Sequence, residues 1–155
     1  MPASTKTWFI TGASSGFGRA FARHALARGY NVVATARSVG KLEALKAEAP
    51  DRVLIAELDV DRTGDAERAV KAAIEKFGAI DVLINNAGYA IVGAIEETPE
   101  HELRAIMETN FFGAAALTKA ALPHMRARRS GAIVNISSMG GQMSFAGVGA
   151  YSATK

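Results

Sequence analysis

The sequence predicts an α/β domain built on a doubly wound, open parallel sheet with strand order 3-2-1-4-5. Three observations carry that prediction. Short apolar runs rich in β-formers alternate with longer stretches of helical period, which is the pattern of βαβ units. The first run passes directly into a glycine-rich turn that opens a helix. The length of 155 residues, 49% of them hydrophobic and 21% charged, suits one globular domain with a real core. Right-handed crossovers between five such strands reverse the order between the first and the fourth. Ligands bind at that switch point, beyond the carboxyl ends of the strands.

Thr7-Trp8-Phe9-Ile10-Thr11 forms the first strand. A helix follows from Phe17 to Arg28, with Phe17, Ala20, Phe21, Ala25 and Leu26 as its apolar stripe and Gly29 as its end. Asn31 to Ala36 is the second strand and Val39 to Glu48 the next helix. Pro50-Asp51 turns into a third strand, Val53 to Glu57, and a helix from Thr63 to Phe77 takes Asp61 or Thr63 as its N-cap. Ile80 to Asn85 is the fourth strand. Thr98 then caps a long helical region reaching about Arg128, with Pro99 at its first position and Pro123 kinking or ending part of it. Ala132 to Ser137 is the fifth strand, at an exposed edge. A loop containing Gly140, Gly141, Gly147 and Gly149 leads into a last helical turn at Tyr151. With no repeat, linker or low-complexity tract, residues 1–155 read as a single domain.

Composition excludes several classes of function. Eighteen Lys plus Arg against fifteen Asp plus Glu give a net charge of +3, too mild and scattered for nucleic-acid binding. The one basic cluster, Arg126-Ala127-Arg128-Arg129, reads as a solvated helix C-terminus. The absence of cysteine removes disulfides, thiolate metal sites and thiol nucleophiles, and no metal site is expected. His24, His101 and His124 are unclustered and take surface or helix-face roles. The N-terminus carries no leader pattern and no apolar run approaches a membrane-spanning length. The expectation is a cytoplasmic protein without a membrane partner.

The chemistry lies in the strand-end turns. Thr11-Gly12-Ala13-Ser14-Ser15-Gly16-Phe17-Gly18 places glycines where a backbone can approach a pyrophosphate at a helix N-terminus. The second strand ends Thr35-Ala36-Arg37-Ser38, with no carboxylate and one arginine. A carboxylate there suits an unmodified adenosine ribose, whereas a guanidinium suits a 2′-phosphate, so NADP(H) is favoured over NAD(H). Arg19 either assists the same phosphate or is solvated. Asp59, after the third strand, either meets an adenine amino group or caps its own loop. Asn85-Asn86-Ala87-Gly88 follows the fourth strand, where amides can bridge neighbouring strand ends and contact a nucleotide. The fifth strand runs into Asn135-Ile136-Ser137-Ser138, whose two serines are expected on opposite sides. Tyr151 follows Ser138 by thirteen residues, and Lys155 lies one helical turn beyond Tyr151 on the same face. An ammonium so placed favours the phenolate, which is what lets a phenol exchange a proton near neutral pH.

Together the glycine-rich turn, Asn85-Asn86-Ala87-Gly88, Asn110, Ser138, Tyr151 and Lys155 resemble the short-chain dehydrogenase/reductase family, in the expected order along essentially the whole chain. The resemblance implies a Rossmann-type fold and a catalytic set of Asn110, Ser138, Tyr151 and Lys155. It implies that Gly12, Ser14, Ser15, Gly16, Phe17 and Gly18 hold the pyrophosphate end of the cofactor. Asp59 and Val60 would flank the adenine, Asn86, Ala87 and Gly88 would line the cofactor cleft, and Tyr151 and Lys155 would also touch the cofactor. Arg37 resembles the basic residue of NADP(H)-preferring members. The implied reaction is reversible hydride transfer between nicotinamide and a carbonyl or secondary alcohol. In it Tyr151 exchanges the proton, Ser138 bonds the reacting oxygen, Lys155 supports the tyrosine and binds the ribose, and Asn110 holds a relay water; read from its helix alone, Asn110 is instead a poor helix former that bends it.

Members of that family continue past the lysine with two further strands and a substrate-binding loop. The resemblance therefore implies a C-terminally incomplete domain lacking the last strands of the family fold. The 155-residue chain is expected to be an inactive fragment of an enzyme whose full-length form is a homo-oligomer. The alternative expectation is a non-catalytic dinucleotide-binding module or redox sensor.

Overall fold

The computed structural model describes residues 5–143 and 145–155; the first four residues, part of the leader reading above, lie outside them. Apolar runs too short for helices form β1 (Thr7–Ile10), β2 (Asn31–Ala36), β3 (Val53–Glu57), β4 (Val82–Asn85) and β5 (Ala132–Asn135). All pair in parallel, in the order β3-β2-β1-β4-β5, as the alternation of elements predicts. The helices are α1 (Gly16–Ala27), α2 (Glu43–Glu48), α3 (Asp65–Phe77), α4 (Glu100–Met107), α5 (Gly113–Arg128) and the short α6 (Gly149–Ser152).

Period-two alternation splits the core into two halves. Phe9, Val33 and Leu83 pack on one face against Ala69, Val70 and Ala73 of α3 and Leu117 and Ala121 of α5. Ile10, Val32, Ala34 and Ile84 pack on the other against Ala22 and Ala25 of α1 and Leu42 and Leu45 around α2. Alanines facing the sheet let these helices sit close to it. That requirement also corrects the stripe expected on α1. The helix buries Gly18, Ala22, Ala25 and Leu26. Phe17 and Ala20 face outward, and Phe17, 72% exposed, stacks on Phe21 instead.

Several boundaries differ from the sequence reading. The second helical segment opens with a 3-10 turn, Val39–Leu42. α3 starts at Asp65, and neither Asp61 nor Thr63 caps it; Gly64 does so with φ +86, a backbone that favours glycine. Asp65 and Glu67 then meet the dipole in the first turn. Thr98 does not cap α4, because its hydroxyl donates back to the Ala94 carbonyl at 2.9 Å. Pro99 stands just before the helix with ψ 142, not at its first position. Pro123 lies inside α5 without ending it. β4 begins at Val82 and β5 stops at Asn135, each shorter than expected. β5 forms the sheet edge, with Val134 42% exposed.

Asp65 does more than begin a helix. Its carboxylate accepts the Arg68 guanidinium at 2.7 Å and the Asp59 N–H at 3.1 Å. Those two bonds, the arginine's first, hold its carboxyl below the usual value of 3.8. A lowered folded-state value means that the stabilisation is present above the ordinary carboxylate range and is lost as pH falls below it. Asp65→Ala should cost about 1–2 kcal/mol at neutral pH. The difference from wild type in urea unfolding should shrink near pH 3; a difference that persists in acid would contradict this.

Among the described residues no helix is long and apolar enough to cross a membrane, and no group of three or more His, Asp or Glu could hold a metal ion.

Candidate active site

The glycine-rich turn is fixed by the strands on either side of it. The Thr11 N–H donates to the Ile84 carbonyl at 3.1 Å and the Ala13 N–H to the Thr35 carbonyl at 2.9 Å. Gly12 and Gly16 adopt φ +67 and +49, so the turn needs residues without a Cβ there. Gly18 serves differently. A Cβ on it would stand 2.3 Å from the Gly12 carbonyl oxygen and 2.7 Å from Asn86 Nδ2. It therefore lies behind the cleft and lets α1 close onto the turn. Ser15 precedes α1 with extended backbone and no side-chain cap, leaving the first-turn N–H groups and the positive dipole end available to an anion. Arg19 is exposed, and its Nη2 and Nε donate to the Ser14 carbonyl at 2.6 and 3.2 Å.

Asn86 locks the turn to the end of β4. Its Nδ2 donates to the carbonyls of Thr11 at 2.9 Å and Gly12 at 3.3 Å. The Thr11 hydroxyl accepts the N–H groups of Asn86 and Ala87, both at 2.9 Å. Thr11 carries no sequence signal beyond its place at a strand end, and the sequence reading passed over it. Asn85 bridges strand ends: its Nδ2 donates to Oδ1 of Asn135, its register partner on β5, at 2.8 Å, and to Thr118 Oγ1 at 3.2 Å.

The β2 and β3 ends form the next wall. Arg37 is exposed, and among the described residues its guanidinium makes no ion pair or hydrogen bond. Asp59 lines the cleft and also caps its own loop, its Oδ1 accepting the Asp61 N–H at 3.3 Å. Asp61 in turn accepts the Thr109 hydroxyl at 2.8 Å, tying this loop to the α4–α5 connection. Gly113 fits beneath it, where a Cβ would stand 2.7 Å from Val60 Cβ.

Asn110 sits at the centre of a π-turn, Glu108–Phe112, between α4 and α5. The helix-distorting reading and the functional reading of this residue thus meet at one point, since π-turns widen a helix where a side chain must be redirected. Asn110 is 7% exposed. Its Oδ1 accepts the Tyr89 N–H at 3.0 Å, and its Nδ2 donates to the Tyr89 carbonyl at 2.9 Å and to Thr154 Oγ1 at 2.8 Å. It stands behind the cleft wall rather than in it.

Ser138 borders the cleft and accepts the Gly140 N–H at 3.2 Å. Ser137 borders it too, contrary to the expected alternation, because regular strand ends at Asn135. The Ser137 hydroxyl donates to the Lys155 carbonyl at 3.1 Å. Lys155 follows Tyr151 through a tightened turn, with Thr154 N–H on the Tyr151 carbonyl and Lys155 N–H on that of Ser152. Its ammonium donates to the Ile136 carbonyl at 3.0 Å and lies 5.9 Å from the centre of the Tyr151 ring.

These walls enclose one open cleft of about 1050 Å³. Gly12, Ser14, Ser15, Gly16 and Phe17 border it at one end and Arg37, Asp59 and Val60 beside them. Asn86, Ala87 and Gly88 form the floor, and Ser138, Tyr151 and Lys155 the other end. Of the residues singled out from sequence, Gly18, Arg19, Asn85 and Asn110 stand outside the lining. The α1 N-terminus and the Tyr151–Lys155 turn thus face one space.

Comparison with known proteins adds to this geometry. A family model described as short chain dehydrogenase matches residues 6–155. The oxidoreductase BOA17 of Botryotinia fuckeliana is 43% identical over 152 residues, covering 97% of this chain and 56% of the relative. The NADP-dependent 3-hydroxy acid dehydrogenase YdfG of Salmonella typhi is 37% identical over 147 residues, covering 94% and 59%. A short-chain dehydrogenase structure from Streptomyces avermitilis superposes with a TM-score of 0.96 at 52% identity, over 100% of this chain and 57% of that one. Solved relatives include complexes with NAD and with NADP. The chain spans about half the length of the curated relatives it matches.

Proposed function

The chain belongs to the short-chain dehydrogenase family, and from that premise we propose that it carries the cofactor site of an NADP(H)-dependent oxidoreductase acting on a carbonyl or secondary alcohol. The observation that carries this reading is the single cleft running from the α1 N-terminus and an unpaired Arg37 to Ser138, Tyr151 and Lys155. The turn fits a pyrophosphate: Gly12 and Gly16 take backbone conformations that favour glycine, and Ser15 leaves the first-turn N–H groups of α1 without a side-chain cap. When bound, the nicotinamide supplies or accepts the hydride. Tyr151 gives the proton to the carbonyl oxygen in reduction and removes it from the alcohol in oxidation. Ser138 hydrogen-bonds the same oxygen as charge develops on it. Lys155 keeps positive charge beside the phenol and would bind the ribose hydroxyls, while Asn110 would serve the proton relay from behind the cleft wall.

Cofactor choice rests on the β2 end. Relatives of this fold take either nucleotide, so the fold does not decide; the guanidinium of Arg37 and the lack of a carboxylate beside it favour the 2′-phosphate. Arg37→Ala should weaken NADPH binding about tenfold to a hundredfold and leave NADH binding within about threefold, the effect of losing one charge-assisted contact. Fluorescence titration of both nucleotides tests this, and equal losses for the two would refute the assignment. The proposal includes a small-molecule substrate and a homo-oligomeric, cytoplasmic native form, supported by family membership, and no nucleic-acid partner, supported by a charge of only +3.

A further inference from the structure

Thr154 is a polar residue 7% exposed, and no step above uses it. Its hydroxyl carries one proton and gives it to the Tyr151 carbonyl at 2.7 Å. It therefore meets Asn110 as an acceptor, taking an Nδ2 proton at 2.8 Å. The other Nδ2 proton goes to the Tyr89 carbonyl, and Oδ1 takes the Tyr89 N–H. Every proton in the chain from amide to hydroxyl to carbonyl points the same way, so each bond polarises the next.

The element at the far end of that chain needs the support. α6 has four residues, far too few to hold a helical turn without tertiary ties. One such tie reaches Ile136 through the Lys155 ammonium, and the buried one is Thr154. We propose that Thr154 is a positioning residue: its hydroxyl couples the Asn110 carboxamide to the Tyr151–Lys155 turn and sets the place of the phenol in the cleft. The inference rests on the function proposed above.

Thr154→Val keeps the shape and removes the hydroxyl; Thr154→Ser restores it. In the native gene product, Thr154→Val should lower kcat about tenfold or more with KM values changed by no more than about twofold, and Thr154→Ser should stay within about threefold of wild type. In an Asn110→Ala background, Thr154→Val should cost nothing further, because the tie is already cut. Independently of activity, the Asn110 side-chain NH2 resonances in 15N NMR should move in Thr154→Val and Thr154→Ala and stay in Thr154→Ser. An unchanged kcat, an equal cost in both backgrounds, or unmoved Asn110 resonances would overturn the proposal. Full activity in Asn110→Ala would instead overturn the site assignment itself, and this inference with it. A crippled Asn110→Ala beside an unaffected Thr154→Val removes Thr154 alone.

Discussion

Tyr151→Phe should lower kcat in the native gene product by about 10²–10⁴-fold, the range supplied by a positioned general acid–base, while cofactor binding stays near wild type. The substitution deletes one hydroxyl and keeps the ring. The ring's own environment is therefore undisturbed: a Cβ on Gly140 would lie 3.5 Å from it, and the Lys155 ammonium sits 5.9 Å from its centre. Steady-state reduction of a carbonyl substrate and a separate NADPH titration read the two quantities. The pattern matters more than the size. A loss confined to kcat fits a group that works only when the proton moves, whereas a parallel loss of nucleotide affinity would point to a structural part for the phenol. Turnover at the wild-type rate would remove Tyr151 from the mechanism.

Gly18→Ala should do the reverse, striking the nucleotide end and the fold together. The added methyl would stand 2.3 Å from the Gly12 carbonyl oxygen and 2.9 Å from its carbon. Both are backbone atoms in a turn held by Thr11, Ala13 and Asn86, so α1 must retreat or the turn must open. Overpacking of this kind costs about 1–3 kcal/mol, and a distorted turn should lose NADPH affinity by about a hundredfold. Gly40→Ala is the matched control, since nothing lies within 4 Å of its added Cβ. Urea unfolding and nucleotide titration of both variants decide the matter; a Gly18→Ala protein as stable and as tight-binding as the Gly40 variant would show that the close approach is unimportant.

The topology was legible because strand and helix periods alternate cleanly, and handedness then leaves few arrangements. Element ends were less legible, for tertiary reasons. Thr98 looks like a cap by type but finds a nearer acceptor in Ala94, and Gly64 takes the cap of α3 by conformation rather than by side chain. The outward turn of Phe17 follows from Gly18 having to face the Gly12 carbonyl, a contact no hydrophobic pattern can display. In the site, the glycine turn, Arg37, Asn86 and the tyrosine–lysine pair could be picked out because each sits at a strand end or at helical spacing. The π-turn at Asn110 was legible only as a bend at a poor helix former, because a single inserted residue leaves the apolar period almost intact. The contacts of Thr11, Asp61, Gly113 and Thr154 were invisible for another reason: each is made with a partner distant in sequence, namely Asn86, Thr109, Val60 and Asn110.

The Thr11 hydroxyl has a wider consequence. One oxygen closes two amides from the β4 end, on a residue whose own amide bonds the Ile84 carbonyl of β4. The cleft floor and the central strand pair are thereby tied through one side chain. Amide hydrogens at Asn86 and Ala87 should exchange with solvent in step with those of the β1–β4 ladder, which a hydrogen-exchange measurement would show. A ligand held against this floor should therefore slow exchange at both amides and along β1 and β4 together.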